Sequence, residues 1–436
     1  LILKQVTKAR MNDTKLAPPR TVGPAGTALF QINGMIGSGI FALPAVLVAA
    51  VGSFAPVMIM IGGLLILPLG LVFAWLATRF ESTGGPVLYG KEAFGSFAGF
   101  QAGWGRYASG MVALGANTHV MVSYFAALYP ALEAPLVASI AAFIAIILMT
   151  LVNVLGMRSS VNALGALTVL KLGPLAALLL AAAFGNYSSP GIVLPEFSQV
   201  ETVILLTFYA YIGFEGVTVP AGEMRNPKRD LPRVLIAVLA GVTLMYVLVI
   251  WAYMSIATEP TGNSNALAGA AGIALGQVGT LMIVLAAGFS IMANSFSGLV
   301  ILPRMTYGMA EQNMLPQWFA KISPKFLSPI NATLFYGIAA AFLSLSGGFA
   351  ALATASTLSR ILTYVISAAA LPVLEKRDGG IVPFHAVVVV LAIASSIWIA
   401  SHASAQAWTT FGGLMVVGTL LYFIARRRAP EPEPTA

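Results

Sequence analysis

Cysteine is absent from the 436 residues, and histidine is nearly so. Without cysteine there is no disulfide framework, no thiolate metal site and no thiol nucleophile, and the redox compartment leaves no mark on the chain. His119, His385 and His402 lie far apart in sequence and lack the close spacing of a metal-binding pair, so they are expected to be partly buried or interfacial side chains. Charge is scarce as well. Only 9% of residues are Asp, Glu, Lys or Arg, whereas 58% are hydrophobic, more than a soluble domain can enclose in a core of ordinary size. No GxxxxGK[ST] loop occurs, which argues against ATP hydrolysis within the chain. The composition points to an all-α membrane protein with no expected cofactor or metal.

Windows of about twenty apolar residues mark twelve expected crossings, at 24–51, 54–77, 97–129, 135–153, 159–184, 200–223, 233–257, 277–303, 330–346, 349–374, 382–402 and 406–425. With the N-terminus inside, twenty of the 23 Lys and Arg fall in the tails or at inner loops, and the other three, Arg106, Lys171 and Arg360, fall inside predicted spans. No basic residue is left for an outer loop, which is the positive-inside pattern. The net charge of +8 is therefore an orientation signal that also favours an anionic inner leaflet, and it implies no nucleic-acid partner. Residues 1–22 and 426–436 are expected to be cytoplasmic tails of a multi-pass cell-membrane protein. The first apolar block is too long for a signal-peptide core and no convincing cleavage site follows it, so it is expected to be retained.

The stretch GMIGSGIF, residues 34–41, places three glycines inside the first span. Each glycine weakens a helix interior by about 1 kcal/mol relative to alanine, and non-helical backbone at that depth survives only beside protein or a water-filled cavity. A break at Gly37 and Gly39 would free amide N–H groups at the start of a second half-helix, whose dipole favours an anion. A glycine-lined packing seam is the plainer alternative. The sixth span repeats the pattern, with Gly213 and Gly216 flanking Phe214 and Glu215. Paired interruptions five spans apart point to an inverted-repeat transporter with its substrate held between two broken helices.

Four segments together resemble the amino acid–polyamine–organocation (APC) transporters: GSGIF in the first span, YIGFEG in the sixth, EMRNPKRDLPR after it, and TGGPVLYGKEAFG between the second and third. The resemblance runs from about residue 22 to residue 425. It implies a LeuT-like fold of five-plus-five inverted repeats and two extra helices, with the first repeat at 23–190, the second at 191–378 and the extra pair at 379–425. It further implies a substrate site around Met35, Ile36, Gly37, Ser38, Gly39 and Ile40 facing Tyr209, Ile212, Gly213 and Glu215. Amides near Ser38 and Gly39 look like the carboxylate site, and carbonyls of Met35, Tyr209 and Ile212 look like acceptors for the ammonium. Tyr209 stands where relatives place an aromatic lid, with Phe208 the candidate if the register slips by one. Lys171 matches the lysine that sodium-independent members place where related transporters bind sodium, and its proton could couple transport to H⁺. Relatives carry an acidic residue and a glycine where this chain has Gln312 and Asn313, which puts an inner-gate salt bridge there in doubt. The loop from Glu223 to Arg233 is expected to be structural or gating.

Ionisable groups inside a span are costly and usually paired. Arg106 and Arg360 fall near mid-depth of their helices at about 1.5 Å per residue, so an Arg–Glu–Arg cluster with Glu215 is expected, holding the spans together or re-forming as access alternates. Relatives often have uncharged residues at the two arginine positions. Two arginines and a lysine against one glutamate favour a carboxylate-bearing substrate over a polyamine. On span ten Ser356, Ser359 and Tyr364 are candidates to face the substrate side chain. The expected protein is a sodium-independent carrier of amino acids, either an exchanger or proton-coupled. The alternatives are a polyamine or cationic amino acid antiporter, and a non-transporting amino acid receptor on a transporter fold; a passive channel fits the two breaks less well.

Overall fold

A computed structural model describes residues 22–80, 84–155, 161–188, 190–218, 224–257, 265–323 and 328–427. The two expected tails, except for Val22 and the last turn up to Arg427, and the positions Arg158, Glu223 and Lys325 lie outside the described residues. The described chain is helical, with no strand. Eight stretches among the described residues are long and apolar enough to cross a bilayer, so the protein is a multi-pass membrane protein.

The first expected span is two helices, α1 (Pro24–Met35) and α2 (Gly39–Val51). A tight turn at Gly52–Phe54 leads into α3 (Ala55–Arg79), and α2 and α3 form one continuous apolar stretch of 41 residues. A short helix not foreseen from hydropathy, α4 (Pro86–Phe94), precedes the long α5 (Ser96–Ala126). Next come α6 (Pro135–Val154), α7 (Val161–Phe184) and α8 (Phe197–Tyr209), which is followed by a 3₁₀ turn at Phe214–Thr218. The remaining helices are α9 (Pro227–Ile256), α10 (Ala266–Glu311), α11 (Ile330–Ser344), α12 (Phe349–Arg377), α13 (Pro383–Ser401) and α14 (Ala405–Arg427).

The expected span at 277–303 belongs to a longer element. Within α10, Gly276 adopts φ 67° and ψ −162°, a conformation open mainly to glycine. The chain reverses there, because Thr280 donates to the carbonyl of Ala268 at 3.3 Å, whereas a straight helix would separate the two by about 18 Å.

The periphery faces lipid and the centre is packed. On α6, Leu136, Ile140, Ile144, Leu148 and Leu151 form an exposed stripe at helical spacing, while Ile146, Thr150 and Asn153 on the other side are buried. With no surrounding water to drive apolar burial between helices, packing and interhelical hydrogen bonds hold such a bundle. The centre is built accordingly, with α5 along α12 and α3 along α9. At the end carrying the basic loops, Glu375 of α12 is buried and ties three helices together. It lies 2.5 Å from His385 of α13 and 3.7 Å from Arg79 of α3, which also pairs with Asp378. The His385 ring stacks on Trp75 at 3.7 Å.

Candidate functional site

Helix α1 stops at Met35 and α2 starts at Gly39, leaving Ile36, Gly37 and Ser38 outside the helical ladder. Gly37 N–H turns back to the carbonyl of Met35 at 3.0 Å, and Ser38 accepts the first bonds of α2 from Phe41 and Ala42. Among the described residues the amides of Ser38, Gly39 and Ile40 donate no hydrogen bond. A helix leaves its first amides without partners inside itself, and here they gather at the start of α2.

Across from them α8 ends at Tyr209, and four residues separate it from the 3₁₀ turn. Gly213, at φ 107°, makes this break possible. Its backbone lies against the carbonyl of Gly34, so a Cβ at this position would collide with it. The second interruption thus lies against the last turn of α1. The carbonyl of Tyr209 accepts one bond from Ile212 at 3.1 Å and that of Ala210 one from Tyr246 at 3.2 Å. One break therefore presents amides and the other a helix C-terminus with its carbonyls, which are opposite ends of a peptide dipole.

A cavity of about 560 Å³ opens between the breaks, inside the range of about 300–1,000 Å³ typical of small-molecule sites. Its walls include Met35, Gly37, Ser38, Gly39, Tyr209, Ile212, Gly213, Glu215, Arg106 and Arg360. The lining continues past Gly84, Arg304, Gly308 and Gln312, toward the end of the bundle that carries the basic loops. At the other end a polar latch closes it. Ser38 Oγ donates to Asn117 Oδ1 at 2.6 Å, Tyr209 OH donates to the same oxygen at 3.0 Å, and Asn117 Nδ2 donates to Asn294 Oδ1 at 3.1 Å. Asn294 Nδ2 in turn donates to the carbonyls of Asn33 and Gly34, both at 3.0 Å. The Tyr209 ring meets Phe349 edge-on at 5.8 Å. The latch joins α1, α2, α5, α8 and α10. Asn117 and Asn294 were not singled out from the sequence, although amide side chains inside apolar runs were an available signal.

The three buried cations occupy different settings. Lys171 is fully buried and its Nζ donates to the carbonyl of Ile36 at 3.1 Å. That carbonyl, inside the first break, also accepts from Ser290 at 3.3 Å. Glu215 gathers the other two. Its Oε1 lies 2.5 Å from Arg360 Nη1 and 3.4 Å from Arg106 Nε. Its Oε2 accepts from Tyr364 OH at 2.9 Å and from Gly213 N–H at 3.2 Å. The expected Arg–Glu–Arg group is therefore a geometric fact, fastening α5 and α12 to the second break.

Some expected contacts lie outside the cavity wall. Ser356 is buried between α12 and α5, where its hydroxyl donates to the carbonyl of Ser109 at 2.9 Å and lies 3.0 Å from Ser109 Oγ. Packing of α5 against α12 turns this face away from the cavity. Ser359 donates to the carbonyl of Ala355 in its own helix. Tyr364 reaches Glu215 but does not line the cavity, and Phe208 packs on Tyr364 at 6.2 Å. The register is thus the one that puts Tyr209 at the cavity. Ile36 and Ile40 are buried and are not part of the cavity wall. Lys91 Nζ donates to Gln312 Oε1 at 2.7 Å, so a neutral amide makes the contact beside the mouth where an acidic partner was in doubt. His119, His385 and His402 each meet an oxygen of the protein.

Comparison with known proteins places this geometry in a sequence context. The family model described as amino acid permease matches residues 23–433. A serine/threonine exchanger of Bacillus subtilis is 28% identical, covering 84% of this chain and 87% of its own length. A methylthioribose transporter from the same organism is 25% identical over 94% of both chains, and its branched-chain amino acid permease 24% identical over 94% and 93%.

Proposed function

Because the chain belongs to the amino acid permease family, we propose that it is a sodium-independent secondary carrier of amino acids, working by alternating access as an exchanger or with proton coupling. The observation that carries this reading is the pair of facing interruptions. Unpaired amides of Ser38, Gly39 and Ile40 supply donors for an α-carboxylate. Carbonyls of Met35, Tyr209 and Ile212 supply acceptors for the ammonium, since a carbonyl holding one bond keeps a second lone pair. An α-amino acid has both groups on one carbon, and opposed helix ends match both without a charged side chain.

Lys171 supports the sodium-independent part. A fixed ammonium against the Ile36 carbonyl occupies the unwound backbone that a bound cation would otherwise have to stabilise. The cavity runs toward the basic loops, which the positive-inside rule assigns to the cytoplasm, so this conformation is read as inward-facing with both tails cytoplasmic. Twelve crossings, in two inverted five-helix repeats plus a final pair, are the arrangement that this reading adopts, in a cell membrane.

The test is counterflow in proteoliposomes, with the twenty amino acids as labelled or competing substrates. Saturable, trans-stimulated exchange that is unchanged when choline replaces Na⁺ is the expected outcome, and methyl esters of good substrates should not compete. Amino acid binding without flux under any gradient would favour a receptor, and flux without saturation a channel. Stimulation by sodium would remove the role given to Lys171.

A further inference from the structure

Glu215 is fully committed inside the protein. Its two oxygens receive Arg360, Tyr364 and the Gly213 amide, and Arg360 Nε is itself bound to Ser109 Oγ at 3.0 Å. Arg106 is left over. Its Nε lies 3.4 Å from Glu215 Oε1, yet the direction of its N–H misses the carboxylate, and neither Nε nor Nη1 has a hydrogen-bond partner. The side chain is only 5% exposed and lines the cavity. An arginine keeps its proton in such a place, so one carboxylate stands against two permanent cations. Apart from Glu215, no acidic side chain lines the cavity among the described residues, and the other charge there, Arg304, is again positive.

A buried charge without a full partner costs several kcal/mol, and unmet donors add to that cost. Both are offset when an anion enters. We infer that the substrate is an amino acid whose side chain ends in a second carboxylate, and that Arg106 is the residue that selects it. This rests on the amino acid reading of the same site. The α-carboxylate goes to the amides of α2 and the side-chain carboxylate to the part of the Arg106 guanidinium that meets the cavity, a charge-assisted contact.

The experiment compares L-glutamate with its neutral isostere L-glutamine on the full-length protein, by thermal shift in detergent and by exchange in proteoliposomes. Glutamate is expected to bind and exchange at least roughly tenfold better, the loss that follows when a site built for a charged group meets a neutral analogue. In Arg106→Gln this ratio should collapse toward one. Glutamine or other neutral amino acids exchanging as well as glutamate in the wild type would overturn the inference while leaving the amino acid reading intact. Absence of binding and exchange with every amino acid would overturn both. Should Arg106→Gln fail to fold, the wild-type ratio decides the question alone.

Discussion

Lys171 and Gly213 are the two residues whose replacement separates function from folding. Lys171 makes no ion pair among the described residues and donates to a carbonyl inside the first break. Removing it relieves a buried charge and leaves the packed helices in place. Lys171→Ala is therefore expected to slow exchange by roughly tenfold or more, the equivalent of one hydrogen bond from a charged group, with a small change in melting temperature. Gly213→Ala should do the opposite. It forces a Cβ into the Gly34 carbonyl at a φ of 107°, a strain of about 1–3 kcal/mol, and should lower the melting temperature in a thermal ramp before any substrate is added. At this scale the sequence was informative where a residue type was out of place. Glycines, arginines and a lysine in apolar runs marked positions that the structure brings to the cavity or the breaks, but equally polar Asn117 and Asn294 went unmarked. Serine on a helix gave no direction, because spacing alone cannot say which face meets a neighbour, and Ser356 turned out to meet Ser109.

Among the elements, α1 and α2 were visible because glycine weakens a helix wherever it is placed. The reversal inside α10 was not, since AGAAGIALG around Gly276 is as apolar as a spanning helix and hydropathy carries no information about direction. Likewise α4 was hidden by its mixed composition. The junction of α3, α12 and α13 is another tertiary product, in which Glu375 is shared by Arg79, His385 and the Val382 amide. Glu375→Ala should lower thermal stability by about 1–3 kcal/mol, because it strands the donors around it. Glu375→Gln should recover part of that loss by keeping the bond to Val382. An unchanged melting temperature for both variants would show that the junction is held by apolar contact alone.

For the whole molecule, the cavity is open toward one end and latched at the other, and the absence of cysteine makes this directly measurable. Ser297→Cys, on the cavity wall, should react with a membrane-impermeant thiol reagent only from the side of the basic loops. Ser346→Cys, exposed on the turn between α11 and α12, should react only from the other side. Labelling of both from one face would contradict the orientation. Excess substrate should slow labelling at Ser297→Cys and leave Ser346→Cys alone, because only the first lies along the path.

Apolar runs of about twenty residues determined that the chain is helical and lives in a bilayer, since lipid leaves the backbone of such a run no partners but its own. Hydropathy and loop charge likewise fixed which segments are apolar and which ends are basic. What only the tertiary structure decided is the pairing of groups far apart in the chain: which arginine Glu215 hydrogen-bonds, which one keeps N–H groups without a partner, and that the second interruption lies against the last turn of α1 through Gly213 and Gly34. Burial and hydrogen-bond direction depend on how helices rotate against one another. That rotation is set by the sum of many small contacts and is written in no single stretch of residues.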